Sequence, residues 1–388
     1  MTRMPALLLR TLRALPDAVL RAVLPARLAF DGASDHLLSF ADSPVRLLIG
    51  PVNFAGQAWA WARAAERIPG VTAVSMTTIS STGYSYRVDQ AVPPSVFQLS
   101  GRWNRVQRAR LREDATHVIV EAGRSLLGDG STLSAELADL RGHGVRVALL
   151  GHGSDVRDGR RHAREFPDSP YHGGDWTDRD ASERAAETHR AVIGSTGALV
   201  FVSTPGLLDD VPGATWLPVV IEADRWDAPA RPLDAEVPLV VHAPSSTAIK
   251  GTELIEPDVL RLESEGLIRY RRIEGVKASE MPALLGEADI VLDQFRLGDY
   301  GVAACEAMAA GRVVIGNVGE PVRSRVRGST GLELPIVQAE AKEIGTIVQS
   351  ILADRATARE VADRARRFAR EVHDGRRSAE VLRAFLES

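Results

Sequence analysis

The feature that most constrains the fold is a repeated alternation of short, β-branched apolar runs with segments of helical periodicity. In the first series the strand candidates are RLLIG at 46–50, VTAVSM at 71–76, THVIVEA at 116–122, VRVALLG at 145–151 and ALVFVS at 198–203. Helical stretches such as 58–67 and 131–144 separate these runs. Parallel neighbours need a crossover connection, so this order is typical of a parallel sheet covered by helices. The pattern therefore predicts one doubly wound α/β domain at residues 1–218.

The alternation restarts after a connector at 219–238, where prolines and charges replace the periodic pattern. Its strand candidates are LVVHA at 239–243, LIRYRRIE at 267–274, DIVLD at 289–293 and RVVIGN at 312–317, and its helix candidates are 279–288 and 301–311. We therefore expect a second α/β domain at 219–370 and a C-terminal helix at 371–388. Since ligands bind outside the carboxyl ends of parallel strands, we also expect a cleft between the two domains.

Composition excludes several classes of protein. The formal net charge of −4 gives no global positive field for nucleic acid. A single cysteine, Cys305, cannot form an intramolecular disulfide or a cysteine-built zinc site, which fits a reducing cytoplasm. No apolar run approaches the roughly 20 residues that span a bilayer.

The N-terminal segment 1–28 places leucines and valines at helical spacing with basic residues between them, namely Arg3, Arg10, Arg13, Arg21 and Arg27. One interpretation is a helix packed on the first domain, and the other is a peripheral contact with anionic lipid at the cytoplasmic face. Pro16 and Pro25 interrupt the apolar stripe and favour the first interpretation.

Two loops of the first domain are candidates for ligand contact. GPVNFAGQ at 50–57 follows a strand and precedes a helix, so Gly50 and Gly56 allow close backbone approach to a ligand and the helix start would attract an anion. Asn53 of the same loop is a candidate ligand contact. A βα turn without a ligand explains the same segment equally well. GHGSDVR at 151–157 places His152 and Asp155 at a strand end, although Ser154 or Asp155 could simply cap a helix. Val156 replaces the third glycine of a dinucleotide fingerprint, which argues against a nicotinamide enzyme.

The second domain offers more specific chemistry. Lys250 stands beside Gly251 in the loop after a strand, a cation with close backbone approach that suits a diphosphate. The helix that begins near Gly301, Val302 and Ala303 can receive a phosphate on its first amides. Glu306, one to two turns into that helix, can accept hydrogen bonds from two ribose hydroxyls. Read alone, Glu306 could equally be a helix carboxylate paired with an arginine.

These motifs resemble glycosyltransferase family 4, the retaining group 1 glycosyltransferases of the GT-B fold. The resemblance covers 152–157, 201–226, 242–252, 288–315 and 371–382, and the run with EAMAAG at 306–311 is its most specific part. It implies two Rossmann-like domains that face a cleft and a C-terminal helix that crosses back to the first domain. It also implies transfer of a sugar from a nucleotide-diphosphate donor to a hydroxyl acceptor, with retention of configuration and with no metal or other cofactor.

The resemblance assigns roles to single residues. Lys250 would hold the donor diphosphate, Glu306 the ribose and the backbone of 301–303 the distal phosphate. His152 would match the family histidine near the transferred sugar, and Gly56 the glycine loop that faces donor and acceptor. His152 and Lys250 are thus the candidate catalytic residues.

The chain departs from the family pattern at two places. Gly298 stands where the family has a glutamate eight positions before Glu306, and Asp299 next to it is a candidate contact of the sugar or acceptor. The arginine that usually accompanies the phosphate lysine is absent from 245–249, and Arg296 is the candidate replacement. We therefore keep two alternatives to the transferase: a non-catalytic nucleotide-sugar-binding module and a nucleotide-sugar epimerase. The acceptor, whether glycan, lipid or small molecule, is not identified by these residues.

Overall fold

The computed structural model of the chain describes residues 6–25, 30, 36–78, 86–173, 176–228 and 230–388. The chain forms two compact units. The first comprises Met1–His152, Thr188–Phe201 and Ala379–Ser388, and the second comprises Gly153–Glu187 and Val202–Ser378. The domain boundaries predicted after residues 218 and 370 remain predictions.

A seven-stranded sheet occupies the first half of the chain, in the order β3-β2-β1-β4-β5-β6-β7. Its strands are β1 Val45–Gly50, β2 Val71–Thr78, β3 Gln90–Val92, β4 His117–Glu121, β5 Arg146–Gly151, β6 Leu199–Val202 and β7 Thr215–Trp216. The central strand β1 runs parallel to both neighbours, so that Leu48 lies opposite Val74 and Val118. Leu47, Leu48 and Ile49 are completely buried, as expected for a strand covered on both faces.

Eight helices accompany this sheet in the described residues: α1 Ala6–Ala14, α2 Asp17–Val23, α3 Gln57–Ala65, α4 Pro94–Leu99, α5 Gly101–Glu113, α6 Leu133–Gly142, α7 Gly159–Glu165 and α8 Arg179–Thr196. Side-chain caps set several of their starts. Ser100 accepts a hydrogen bond from the Trp103 amide at the start of α5, and Asp158 does so for Arg161 in α7. Trp61 and Trp103 anchor the core of the first unit and are fully buried.

A five-stranded parallel sheet follows, in the order β12-β11-β10-β8-β9. Its strands are β8 Leu239–His242, β9 Arg269–Arg272, β10 Ile290–Leu292, β11 Val313–Gly316 and β12 Val337–Gln338. Leu292, at the end of β10, lies opposite His242 of β8 and Ile315 of β11. The carboxyl ends of these three strands therefore meet at one edge of the sheet.

The helices of the second half are α9 Thr247–Lys250, α10 Thr252–Ser264, α11 Met281–Glu287, α12 Val302–Ala309, α13 Glu320–Thr330, α14 Ile344–Ala353, α15 Arg355–Val372 and α16 Arg376–Leu386. Apolar residues of α10, α14 and α15 close over the sheet in a core that includes Val240, Ile255, Ile290, Val313 and Val348. The last ten residues, Ala379–Ser388, belong to the first unit, where the Phe385 ring packs edge-on against His117 with centroids 5.1 Å apart. The predicted return of the C-terminal helix to the first unit is confirmed.

Every strand predicted from an apolar run is present, with ends shifted by no more than two residues. Three strands escaped prediction: Gln90–Val92, Thr215–Trp216 and Val337–Gln338. All three lie at an outer edge of a sheet and have only two or three residues, so they carry no apolar run.

The N-terminal segment forms two short helices that meet at Pro16, as the sequence indicated. Helix α1 packs on α4 and α5 of the first unit. Arg3 and Arg27 of the predicted basic segment lie outside the described residues. Across the described part of the chain, none of the helices has the length and apolar character needed to cross a membrane.

Candidate functional site

A cluster of candidate residues in the second unit is centred on Lys250, the last residue of α9. Its Nζ lies 2.7 Å from Oδ1 of Asp293, directly after β10, and the side chains of Lys250 and Asp293 are 12% and 1% exposed. The other carboxylate oxygen of Asp293 is buried without a hydrogen-bond partner. An ammonium carries three donors, and among the described residues only Asp293 takes one of them. Lys250 therefore stands oriented at the strand ends with donors left for a ligand.

His242 fixes the strand end beneath this lysine. Its Nδ1 lies 2.9 Å from the carbonyl oxygen of Leu292, and its Nε2 lies 2.9 Å from Oγ1 of Thr252. Burial lowers the pKa of His242 to about 4, so the ring is neutral at pH 7. A neutral ring that donates to Leu292 and accepts from Thr252 satisfies both contacts and ties β8, β10 and α10 together.

Helix α12 supplies the second half of the cluster. Gly301 precedes it in extended conformation, and no side chain caps its first turn. The amides of Val302 and Ala303 thus belong to the unpaired donors that every helix start carries. A small-residue sequence, VAACEAMA, lets this helix pack closely on its neighbours, with Ala304, Cys305, Ala307 and Met308 fully buried.

Glu306 lies one turn into α12 and is half-buried. Burial raises the pKa of its carboxyl to about 8, although the charges of Arg225 and Lys250 act in the opposite direction. Within the described chain this carboxyl forms no hydrogen bond and no ion pair. A desolvated carboxyl without a partner is costly unless a ligand satisfies it. Among the described residues Glu306 forms no ion pair with an arginine, although the charges of Arg225 and Lys250 act on its carboxyl.

Arg225 and Asp293 are functional candidates that the sequence did not identify. Arg225 belongs to a short 3-10 helix, Ala223–Trp226, within the segment interpreted as a connector, and that helix packs against α12. Its Nη2 donates to the Ala278 carbonyl at 3.3 Å. No sequence signal distinguished Arg225, because its neighbours show no periodicity. Asp293 was visible only as a strand end.

The loop between β10 and α12 leaves little room for a side chain at position 298. Gly298 has φ +66°, and a Cβ added there would lie 2.3 Å from Cε1 of Phe166. The Phe166 ring is stacked on His162 with centroids 4.5 Å apart. A side chain at 298 would therefore need both a strained backbone and the space that Phe166 fills.

Two further predicted contacts in this loop are engaged within the second unit. Arg296 forms an ion pair with Glu253 of α10. Asp299 is buried, and its carboxylate accepts hydrogen bonds from the amides of Gly206 at 3.0 Å and Tyr300 at 2.9 Å. Burial is the main cause that raises the pKa of Asp299. Asp299 therefore holds the turn at Gly206.

The first unit brings together Asn53, Gly56 and His152. His152 Nε2 lies 3.0 Å from Oε1 of Glu121, which is completely buried at the end of β4. The Phe54 ring from the loop after β1 packs edge-on against His152 with centroids 5.2 Å apart. Gly56 precedes α3 with φ +75°. Glu121 was not selected from the sequence, where it only ends an apolar run.

The side chains of Asn53 and Asp155 have backbone partners. Nδ2 of Asn53 donates to the Arg87 carbonyl at 2.8 Å, and its Oδ1 accepts from the Trp59 amide at 3.3 Å. Asp155, in the second unit, accepts from the Gly153 amide at 2.7 Å. Asp158, not Ser154 or Asp155, caps the following helix. For the residues that the structure describes, no group of three His, Cys, Asp or Glu side chains is placed to hold a metal ion.

Solved structures with the same architecture were found for most of the chain. Sucrose-phosphate synthase from Thermosynechococcus elongatus superposes with a TM-score of 0.55 at 14% identity, covering 88% of this chain and 98% of that one. Anabaena HepE in complex with UDP and glucose gives 0.53 at 12% identity, covering 88% and 99%. The catalytic domain of starch synthase IV from Arabidopsis thaliana, bound to ADP and acarbose, gives 0.54 at 10% identity, covering 89% and 99%.

These likenesses show a GT-B fold. The predicted α/β architecture of two Rossmann-like domains is thereby confirmed. No protein-family model matches the chain, and no curated protein matches it significantly.

Proposed function

We propose that this GT-B protein transfers a sugar from a nucleotide-diphosphate donor to a hydroxyl acceptor, with retention of configuration. The observation that carries the proposal is Glu306: a desolvated carboxyl without a partner in the described chain, one turn into a helix with an uncapped start and within reach of Lys250. Two of the solved neighbours, HepE and starch synthase IV, hold UDP and ADP respectively, which agrees with a nucleotide donor.

The donor would use three groups of the second unit. The Glu306 carboxylate accepts hydrogen bonds from the two ribose hydroxyls, and this pairing compensates its desolvation. The free amides of Val302 and Ala303 receive the distal phosphate at the positive end of the α12 dipole. Lys250, oriented by Asp293, donates to the diphosphate with its remaining N–H groups.

The same groups favour departure of the diphosphate. When the bond from the anomeric carbon to the phosphate oxygen breaks, the electron pair stays on that oxygen. Lys250 and the α12 amides stabilise the developing negative charge, and loss of one such donor costs on the order of 3 kcal/mol in barrier. Under retention the acceptor approaches from the face that the diphosphate leaves, so the departing phosphate oxygen can take the acceptor's proton.

The resemblance to family 4 supports His152 as a contact of the transferred sugar. Its pairing with the buried Glu121 fixes the ring at the end of β5, which is the kind of orientation that a substrate contact needs. The proposal involves neither a metal nor a cofactor beyond the sugar nucleotide. It places the protein in the cytoplasm. A lone buried cysteine, Cys305, fits a reducing compartment.

One observation favours a second candidate, a nucleotide-sugar-binding module without turnover. Phe166 fills the space at Gly298 where the family carries a carboxylate, so one polar contact to the sugar is replaced by an aromatic ring. Such a protein would keep nucleotide affinity and lose transfer.

Ligand-dependent thermal stabilisation tests the site directly. Uridine, guanosine and adenosine diphosphates are titrated into the full chain, and the nucleotide that binds should raise its Tm in proportion to RT ln(1 + [L]/Kd). Lys250→Ala and Glu306→Ala should abolish this shift, whereas Lys277→Ala, an exposed lysine of the same unit, should leave it unchanged. Donor hydrolysis and transfer are measured in parallel across a panel of donors.

The outcomes separate the candidates. Nucleotide binding with sugar release supports the transferase, and nucleotide binding without any turnover supports the binding module. Undiminished stabilisation in both Lys250→Ala and Glu306→Ala would show that the donor binds elsewhere.

A further inference from the structure

A recess in the first unit carries a concentration of positive charge that the proposed donor site does not use. It has a volume of about 290 Å³ and lies between α1 and the start of α5. Its charged lining residues are Arg10, Arg13, Arg105, Arg108 and Asp129. Four guanidinium groups thus surround one carboxylate.

Two aspartates near the recess, Asp129 and Asp139, are neutralised by arginines other than Arg10, Arg13 and Arg105. Asp129 forms an ion pair with Arg108, which also lies 3.2 Å from Asp139, and Arg112 forms a second ion pair with Asp139. Two arginines therefore balance two aspartates. The charges of Arg10, Arg13 and Arg105 remain without a carboxylate partner among the residues described in the structure.

Arg13 makes the recess rigid. Its guanidinium donates to the carbonyl oxygens of Gln98 at 2.8 Å, Asp129 at 2.6 Å and Gly128. These acceptors are neutral, so Arg13 is fixed in place but keeps its full positive charge. The backbones also meet directly, since a Cβ on Gly101 would lie 2.1 Å from the Arg13 carbonyl oxygen. Helix α1 is thereby locked against α5, and the recess exists before any ligand arrives.

Arg10 and Arg105 provide the free donors. Both side chains are exposed at the rim, one on α1 and the other on α5, and neither forms a hydrogen bond or ion pair within the part of the chain that is described. A guanidinium presents a planar fork that matches two oxygens of a phosphate. The guanidinium groups of Arg10 and Arg105, together with the fixed charge of Arg13, suit a ligand group with more than one anionic oxygen.

We propose that this recess binds the phosphate group of a phosphorylated ligand. Its volume falls at the lower limit of ligand sites, about 300 Å³, which is enough for a phosphate with a small attached group. The phosphate can come from a soluble phosphomonoester or from an anionic lipid headgroup. The inference is independent of the proposed transferase, because every lining residue lies in the first unit while Lys250 and Glu306 lie in the second.

The test compares soluble and membrane-bound phosphate on the full chain. Binding of inorganic phosphate and of glycerol 3-phosphate is measured by calorimetry in the Lys250→Ala background, so that the donor site does not contribute. Cosedimentation is measured with vesicles of phosphatidylcholine alone and of phosphatidylcholine mixed with phosphatidic acid. The test variant is Arg10→Gln with Arg105→Gln. The control is Arg102→Gln with Arg164→Gln, which removes the same charge from exposed arginines outside the recess.

The test variant should weaken phosphate binding at least tenfold, whereas the control should bind as well as the parent chain. Binding of glycerol 3-phosphate without vesicle binding supports the proposal with a soluble source. Binding to phosphatidic acid vesicles that the test variant loses supports it with a lipid source. The proposal is overturned if none of the probes binds, or if test and control variants lose binding equally. Both arginines are exposed and unpaired, so an unchanged thermal denaturation curve confirms that the test variant is folded.

Discussion

Nζ of Lys250, the last residue of α9, lies 2.7 Å from Oδ1 of Asp293, which directly follows the neighbouring strand β10. The pair explains how a lysine stays ordered at the edge of the sheet before a ligand arrives. Asp293 holds the ammonium with one oxygen, and the charge of the pair is balanced until an anion draws on the remaining donors.

Replacement of Asp293 by Asn tests this role. The change leaves the Lys250 ammonium largely buried without a counter-charge, so we expect the free energy of unfolding to fall by about 3 kcal/mol. Lys250→Met combined with Asp293→Asn should recover much of that loss, because no unpaired charge remains. Urea denaturation of the four chains in this cycle gives the coupling energy, and additive losses would contradict a paired role.

Glu306 makes stability depend on pH. Its pKa is raised to about 8 in the folded chain from the ordinary value of 4.5. Between these values the folded state holds one proton more than the unfolded state, so unfolding free energy falls as pH rises, by at most about 1.4 kcal/mol per pH unit. We expect the stability of Glu306→Gln relative to the parent chain to grow from pH 5 to pH 8. A difference that is constant over this range would mean that Glu306 is ionised throughout.

Gly298 should not tolerate a side chain. Gly298→Ala should cost about 1 kcal/mol for its positive φ and a further ~1–3 kcal/mol for overpacking against Phe166. Gly331→Ala is the matched control, since Gly331 has φ +74° but nothing within 4 Å of an added Cβ. Thermal denaturation should show the larger loss at 298, and Phe166→Ala should relieve it. Equal losses at 298 and 331 would refute the steric explanation.

Glu121→Gln separates donor binding from transfer. The amide keeps the shape of the side chain but weakens its hydrogen bond to His152. We therefore expect the transfer rate to fall about tenfold, which is the equivalent of one hydrogen bond of roughly 1.4 kcal/mol. Nucleotide affinity should not change, because the proposed nucleotide contacts lie in the second unit. Glu136→Gln, at another buried glutamate of the first unit, controls for general destabilisation. A parallel loss of nucleotide affinity in Glu121→Gln would contradict this division of roles.

Prediction from sequence succeeded where a signal is local. Each buried strand carries its own apolar run, and runs that alternate with helices permit few folds other than covered parallel sheets. Lys250 and Glu306 could be selected because Lys250 lies in the connection after a strand and Glu306 lies one turn into a helix, and a few consecutive residues indicate both positions. The short edge strands, such as Thr215–Trp216, have no such signal and were missed.

The sequence by itself thus determined the sheet-and-helix order and the strand ends, and it led to the prediction that Lys250 and Glu306 bind the donor. Only the tertiary structure decided that Asp293 pairs with Lys250, that the charge of Arg225 acts on Glu306, that Phe166 occupies the space at Gly298 and that arginines of α1 and α5 surround one recess. The physical reason is that parallel strands are joined by long crossovers, so side chains that meet at one sheet edge are far apart along the chain and no local pattern records their contact.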